Sequence, residues 1–204
     1  MVRPNAGTKG VPRLDRENQI LDVASAEFGE YGYAGASIAR IAERAGISKP
    51  LIYNYFDSKE GLFLAAVERA GTVIADEIER IAHGGSEGLV RALETLQGIF
   101  AILEPQPYIW KLFFDESAPR TGLIAAAIGG YRERITKTAD QGVTVLMHQQ
   151  GVTHHLDISA MTAVWLSVVD ALVNWWLEHP DETAEQMTAR CVRLIGALFG
   201  EDLA

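Results

Sequence analysis

The 204-residue chain is 48% hydrophobic and 22% charged, with a formal net charge of −9. That balance suits one or two compact domains and argues against extended disorder. The single cysteine, Cys191, excludes an internal disulfide or a multi-cysteine zinc site and suits a reducing compartment.

The acidity is unevenly placed. In residues 1–60 eight Lys/Arg balance eight Asp/Glu, so the ten basic and nineteen acidic residues of 61–204 carry the whole net charge. A neutral module with a basic arm thus precedes an acidic body. Residues 1–12, with Arg3, Lys9, Pro4, Gly7, Gly10 and Pro12, read as a flexible arm. No apolar N-terminal run reads as a secretory signal, so a cytoplasmic location is expected.

Helix signals follow in chain order. In "RENQILDVASAEFGEYGY", Ile20, Val23, Ala24 and Phe28 recur at helical spacing and Gly32 supplies a left-handed stop. Ser37 is a plausible N-cap for "IARIAER", whose buried face is Ile38, Ile41, Ala42 and Ala45; Gly46 closes it. Only Ile47 and Ser48 precede the next helix, "KPLIYNYF", where Pro50 fits the first turn. Ser58 starts a long helix to about Ile81. Beyond Gly84-Gly85 come helical segments from Ser86 to Leu103, over the aromatic "YIWKLFFDE", over 121–150, from Ser159 to Glu178, and from Thr183 to Phe199. Thr183 with Gln186 forms a capping box. No alternating strand pattern or repeat is present, so the expected fold is all-α with about nine helices.

Two short helices joined by Ala-Gly-Ile-Ser form a helix-turn-helix, whose second helix enters the DNA major groove with its N-terminal residues near base edges. A plain helical hairpin inside a bundle would share that turn. Lys49 and Lys59 each follow a serine at a helix start, where the macrodipole disfavours a cation; an external anion at the same place would explain both.

The stretches "ILDVASAEFGEYGY" and "SIARIAERAGISKPLIYNYFDSKEGLF" resemble the TetR family of transcriptional regulators. They share its Gly-aromatic turn, Ile-Ala pair, Ala-Gly-Ile-Ser turn, Tyr-x-x-Phe and Ser-Lys-Glu-x-Leu, in one order over about forty-five residues. The family often has Thr where Ser37 stands. The resemblance implies that Lys59 contacts a phosphate, a point charge added to the amides of a helix start. It places Tyr53 and Tyr55 on the DNA backbone and Lys49, Pro50, Leu51 and Asn54 toward bases. Lys49 could donate to guanine, Asn54 pair with adenine and Leu51 meet a thymine methyl. Ser37 adds a phosphate contact to its capping role. Against these stand plainer readings: Tyr55 and Phe56 as core, Lys49 as solvated, and Arg40 and Arg44 as partners of nearby acids. The basic arm either enters a minor groove or does nothing.

The resemblance divides the chain into the arm (1–12), a DNA-binding domain (13–60) and a ligand-binding and dimerisation domain (61–204). It implies a homodimer, a palindromic operator and a small-molecule effector, most simply for a repressor released by its ligand. The penultimate helix is apolar nearly all round, as burial on several sides requires. Val168, Leu172, Trp175 and Trp176, with Cys191, Leu194 and Leu198 of the last helix, are the expected interface; a single intrachain core is the alternative. Its apolar length also approaches a membrane span, but Asp170 and Asn174 lie near the middle, so no membrane is expected. Phe100, Leu103, Trp110, Phe113, Phe114, Tyr131, Met147 and Trp165 are candidates to line a cavity for a largely apolar ligand, although such aromatic stripes are commonly core.

No nucleophile elbow, phosphate loop or dinucleotide fingerprint occurs, so no cofactor and no catalysis are expected. "HHLD" at 154–157 with His148 lacks metal-ligand spacing, so no metal is expected either. An all-helical enzyme or interaction module with an accidental helix-turn-helix is the competing class.

Overall fold

Several helix ends in this protein fall where a side chain or a glycine satisfies the terminal backbone groups. The computed structural model describes residues 12–199, the side chains of Leu198 and Phe199 excepted. The basic arm therefore lies outside the described residues, apart from Pro12. Among the described residues there are eight α-helices, two 3₁₀ turns and no strand. They are α1 (Arg13–Gly35), α2 (Ile38–Arg44), α3 (Lys49–Phe56), α4 (Lys59–Ala82), α5 (Gly88–Leu103), α6 (Gly122–Gln149), α7 (His155–Leu177) and α8 (Ala184–Phe199).

α1 breaks at Gly32, whose φ of 69° lies in the left-handed region. Ser37 caps α2, its hydroxyl accepting from the Ala39 amide at 3.2 Å. α2 ends in a Schellman turn: the Gly46 amide donates to Glu43 O at 3.1 Å and the Ile47 amide to Ala42 O at 2.9 Å. Ser58 caps α4 by accepting from the Gly61 amide at 3.0 Å. The capping box before α8 forms as expected, Thr183 N to Gln186 Oε1 at 2.8 Å and Gln186 N to Thr183 Oγ1 at 3.2 Å.

The chain packs as two units. The first holds residues 12–70 and 108–128. Its core is Ile20, Phe28, Ile41, Ile52, Leu62 and Phe63, all essentially inaccessible to solvent. Phe63 meets the rings of Phe28 and Tyr33 edge-on at 4.8 and 5.0 Å. A functional border at residue 60 therefore does not coincide with the packing border. The first turns of α4 carry Leu62, Phe63, Ala66 and Val67 into this core, and the segment after α5 joins it.

That segment departs from expectation. "YIWKLFFDE" forms two 3₁₀ turns, Pro107–Ile109 and Lys111–Phe113, instead of an α-helix. Ile109, Trp110, Leu112 and Phe113 are all buried. Burial at near-consecutive positions leaves no polar face, and a chain sunk in this way follows the shape of its pocket rather than a 3.6-residue period.

The second unit holds residues 71–107 and 129–199. α5 packs on α8, Glu104 accepts from the Ala184 amide at 2.8 Å, and Tyr131 lays its ring against Gly71. Arg134 of α6 ties down Asp76 and Glu79 of α4. α7 starts at His155, earlier than Ser159, because a ring nitrogen of His154 accepts from the Leu156 amide at 3.3 Å.

Two expected interface residues are corrected here. Trp176 is 5% exposed; its ring meets Phe100 at 5.2 Å and its indole N–H donates to Glu182 O at 2.7 Å. Cys191 is fully buried, and that burial pushes its thiol up to about 11. Both belong to the intrachain core with Val169 and Val173. Consecutive helical residues point about 100° apart, so Trp175 and its neighbour Trp176 serve different faces. Val168, Trp175 and Leu194 remain exposed, with Val164 beside them, and Leu172 is half-buried. The side chain of Leu198 lies outside the described residues.

Candidate nucleic-acid interface

The helix-turn-helix is held on α1 by one buried carboxylate. Glu27 Oε1 accepts from the Ser37 amide at 2.9 Å and from Arg40 Nε at 2.7 Å, and Oε2 lies 3.5 Å from Arg44. A fully buried carboxylate is costly unless paired and hydrogen-bonded in this way. Arg40 also donates to Gly35 O at 2.7 Å and lies 4.4 Å over the Tyr31 ring. Arg40 and Arg44 are thus committed to acids and backbone, as the plainer reading of them holds.

With α2 fixed, the eight-residue α3 divides cleanly. Ile52 and Phe56, one turn apart, are buried. Lys49, Pro50, Tyr53 and Asn54 are exposed, and Leu51 and Tyr55 are half-buried. The exposed set gathers on the first turns and offers an ammonium, a phenol and an amide that make no side-chain hydrogen bond among the described residues. Ser48 makes no side-chain cap. Tyr55 lies between readings: its ring is 5.4 Å from the Arg13 guanidinium and 6.1 Å from Phe56.

Lys59 does not stand free. Its ammonium donates to Ala36 O at 2.8 Å and Ala34 O at 3.4 Å, and lies 4.9 Å over the Tyr33 ring. The carbonyls that close α1 therefore offset the cost of a cation at the start of α4. An ammonium has three donors, so two carbonyls leave one for a further acceptor. Beside it the Tyr33 hydroxyl donates to Glu60 at 2.8 Å. Burial first, and then this carboxylate, pushes the phenol up to about 12. The same hydrogen bond is the main cause that lowers the Glu60 carboxyl below its usual range.

Two residues of this unit escaped sequence reasoning. Asp115 accepts from the Tyr33 amide, and Ser117 Oγ accepts from the Ala34 amide at 2.9 Å. The available signal was local: Asp-x-Ser before a proline is a self-capping turn, and Ser117 N donates to Asp115 Oδ1 at 2.8 Å.

The residues expected to line a ligand cavity fall into both units. Trp110 and Phe113 are buried in the first, where Trp110 lies 5.6 Å from the half-exposed Phe114. Phe100 and Leu103 are fully buried in the second; Tyr131, Met147 and Trp165 there are half-buried. The Tyr131 hydroxyl is 2.9 Å from Thr72 Oγ1. The His154 and His155 rings stack at 4.9 Å, and no group of three or more potential metal ligands is gathered among the described residues.

The model for bacterial regulatory proteins of the tetR family matches residues 20–66, the span that builds this interface. The transcriptional activator FasR of Mycolicibacterium smegmatis is 27% identical over 181 residues, covering 87% of this chain and 80% of that protein. The transcriptional repressor AcnR of Corynebacterium glutamicum is 36% identical over 93 residues, 45% of this chain and 43% of its own length. Among solved structures, AibR in complex with isovaleryl coenzyme A and operator DNA superposes with a TM-score of 0.71 at 19% identity, over 89% of this chain and 97% of that one.

Proposed function

We propose, from the premise that the chain belongs to the TetR family of bacterial regulatory proteins, that it is a homodimeric reader of palindromic DNA released by a small, largely apolar ligand. The observation that carries this reading is the division of α3, which buries Ile52 and Phe56 while leaving Lys49, Pro50, Tyr53 and Asn54 outward. Lys49 and Asn54 then serve base edges with Pro50 and Leu51 between them, Tyr53 and Tyr55 steady the backbone, and Ser37 and the third donor of Lys59 take phosphates. Chromosomal DNA as partner implies a cytoplasmic protein, and nothing in the reading calls for catalysis.

The second copy is supported by the apolar face of α7 and α8. Val164, Val168, Trp175 and Leu194 are between 39% and 53% exposed in the single chain, and soluble monomers rarely leave large apolar side chains clustered in water. α7 is also long and apolar enough to cross a membrane by composition. Its opposite face, however, is sunk in a protein core through Val169, Val173 and Trp176, which suits a helix sandwiched between two chains.

Ligand control needs little energy, since a tenfold loss of DNA affinity corresponds to a coupling of about 1.4 kcal/mol. α4 is the covalent route, because it begins in the DNA-binding unit and ends in the other. Isovaleryl coenzyme A is named in the AibR complex, so acyl thioesters are the first ligand class to test. Repression is the simplest outcome where the operator overlaps a promoter. Activation is the second reading, favoured by FasR, whose similarity runs the length of both domains.

Selection of bound duplexes from a random pool tests the reading. The expected product is a palindrome whose half-sites lie about 34–36 Å apart or a multiple of that. Failure to enrich any sequence would overturn it.

A further inference from the structure

We infer that Asp115 and Ser117 are positioning residues for DNA reading, an assignment that rests on the function proposed above. They clamp the link between α1 and α2 from a part of the chain far outside the helix-turn-helix.

The link needs clamping because α1 is interrupted. At Gly32 the backbone leaves helical geometry, with φ 69° and ψ 169°, so the amides that follow face outward like those of a new helix start. Asp115 takes the Tyr33 amide and Ser117 Oγ the Ala34 amide at 2.9 Å. The two clamp residues also brace each other, Ser117 Oγ donating to Asp115 Oδ1 at 2.7 Å. A Cβ at position 32 would sit 3.0 Å from Ser117 Oγ and 3.1 Å from Asp115 Oδ1, so the clamp closes directly over the break.

The opposite side of the link is held by the DNA-binding module itself. Lys59 takes the carbonyls of Ala34 and Ala36, and Glu27 takes the Ser37 amide. Four side chains from three regions thus fix residues 33–37. The next element is α2, which sets α3 through a four-residue turn. Any looseness in the link becomes an error in where α3 meets the groove.

Asp115 and Ser117 lie just past the two 3₁₀ turns, on the only covalent path from α5 to α6. Movement of that path would withdraw the clamp without disturbing a residue that touches DNA. This gives the regulator a second transmission point, separate from α4.

The test compares Ser117→Ala and Asp115→Asn with the parent on a selected duplex and a random duplex, with hydrogen exchange of the link and thermal melts. Loss of a charge-assisted hydrogen bond to an amide shifts an equilibrium about tenfold. The expected result is a loss of that size on the selected duplex, little change on the random one, an unchanged salt slope, and faster exchange at residues 33–36 with α3 still protected. Ser117→Thr, which keeps the hydroxyl, restores parent behaviour. Parent-like binding by both variants, or equal losses on both duplexes together with a lowered melting temperature, would overturn the positioning role. A parent protein that prefers no sequence would instead overturn the regulator reading, and the exchange data would still decide whether the clamp holds the link.

Discussion

α3 and α7 both leave one face outside the chain's own core, and the two faces have opposite chemistry. α3 turns out an ammonium, a phenol and an amide beside a neutral module. α7 turns out Val164, Val168 and Trp175 in an acidic body. Polar donors on a short rigid helix lose little by staying in water and wait for a polar partner. Large apolar side chains in water are costly, which is why the face that carries them is the one proposed to meet a second copy. If the proposed function holds, the contrast separates a surface used reversibly from one covered for the life of the protein.

The contrast breaks most forcefully at α7. Val168→Asp would place an unpaired carboxylate in the proposed interface at about 3–5 kcal/mol, and a symmetric dimer carries it twice. Sedimentation should show monomers and DNA binding should vanish; an unchanged dimer would mean that the exposed face is not the interface. Trp176→Ala should instead cost about 3–5 kcal/mol of fold stability, because its ring fills space beside Phe100. Trp175→Ala should weaken the dimer and leave the fold of the single chain nearly intact. Melts at several protein concentrations separate the two, since only loss of dimer is concentration-dependent.

On the polar side, Asn54→Ala should relax choice at one base pair per half-site by about 1–3 kcal/mol, visible as a degenerate position in selected duplexes. Lys49→Ala should relax choice at the base it meets by a similar amount, whereas Lys59→Ala should reduce the slope of log K against log salt by about one. Lys59→Ala should also lower the melting temperature, because two carbonyls lose a charged donor. A pure binding loss at constant stability would show that the ammonium serves phosphate more than α1.

The smallest effect is at Tyr33. Its phenol is neutral in the folded protein up to about 12 and in the unfolded chain up to about 10. The stability it contributes is therefore complete below pH about 10 and fades as pH rises through about 12. The Glu60 carboxyl, held low, works the other way, its contribution lost as pH falls below the ordinary carboxylate range. Tyr33→Phe should remove the first dependence and weaken the second, which the Ser58 hydrogen bond and the Lys59 charge also support, at a cost of about 0.5–1.5 kcal/mol, seen in denaturant midpoints against pH.

The parts of this molecule that were legible in its sequence are those fixed by neighbours. Ser37, Gly46, Ser58 and the Thr183–Gln186 box act within four residues of themselves, and each ends or begins a helix as read. The apolar face of α2 is equally local. Trp176 and Cys191 were misplaced because periodicity says that a face is buried without saying against which chain. Lys59 was read as awaiting an outside anion because its carbonyl partners lie more than twenty positions upstream. Asp115 and Ser117 show a local turn signal, but their partners Tyr33 and Ala34 lie more than eighty positions away, so their role was not legible. The 3₁₀ turns were missed where consecutive apolar residues carry no period.

One tight corner has a consequence for how this protein can evolve. Asp57 adopts φ 61° between α3 and α4, and a Cβ at Gly61 would sit 2.1 Å from the Phe56 carbonyl oxygen. The two helices therefore meet as a welded elbow. The 24 residues of α4 make an arm of about 36 Å, long enough to turn a slight swing at one end into a visible change of aim at the other. In a saturation library scored by operator occupancy, position 61 will tolerate substitution as poorly as the positions proposed to face bases, because the Phe56 carbonyl leaves no room for a side chain. A homologue acquiring a new operator can rewrite Lys49 or Asn54 freely, but it must inherit this glycine.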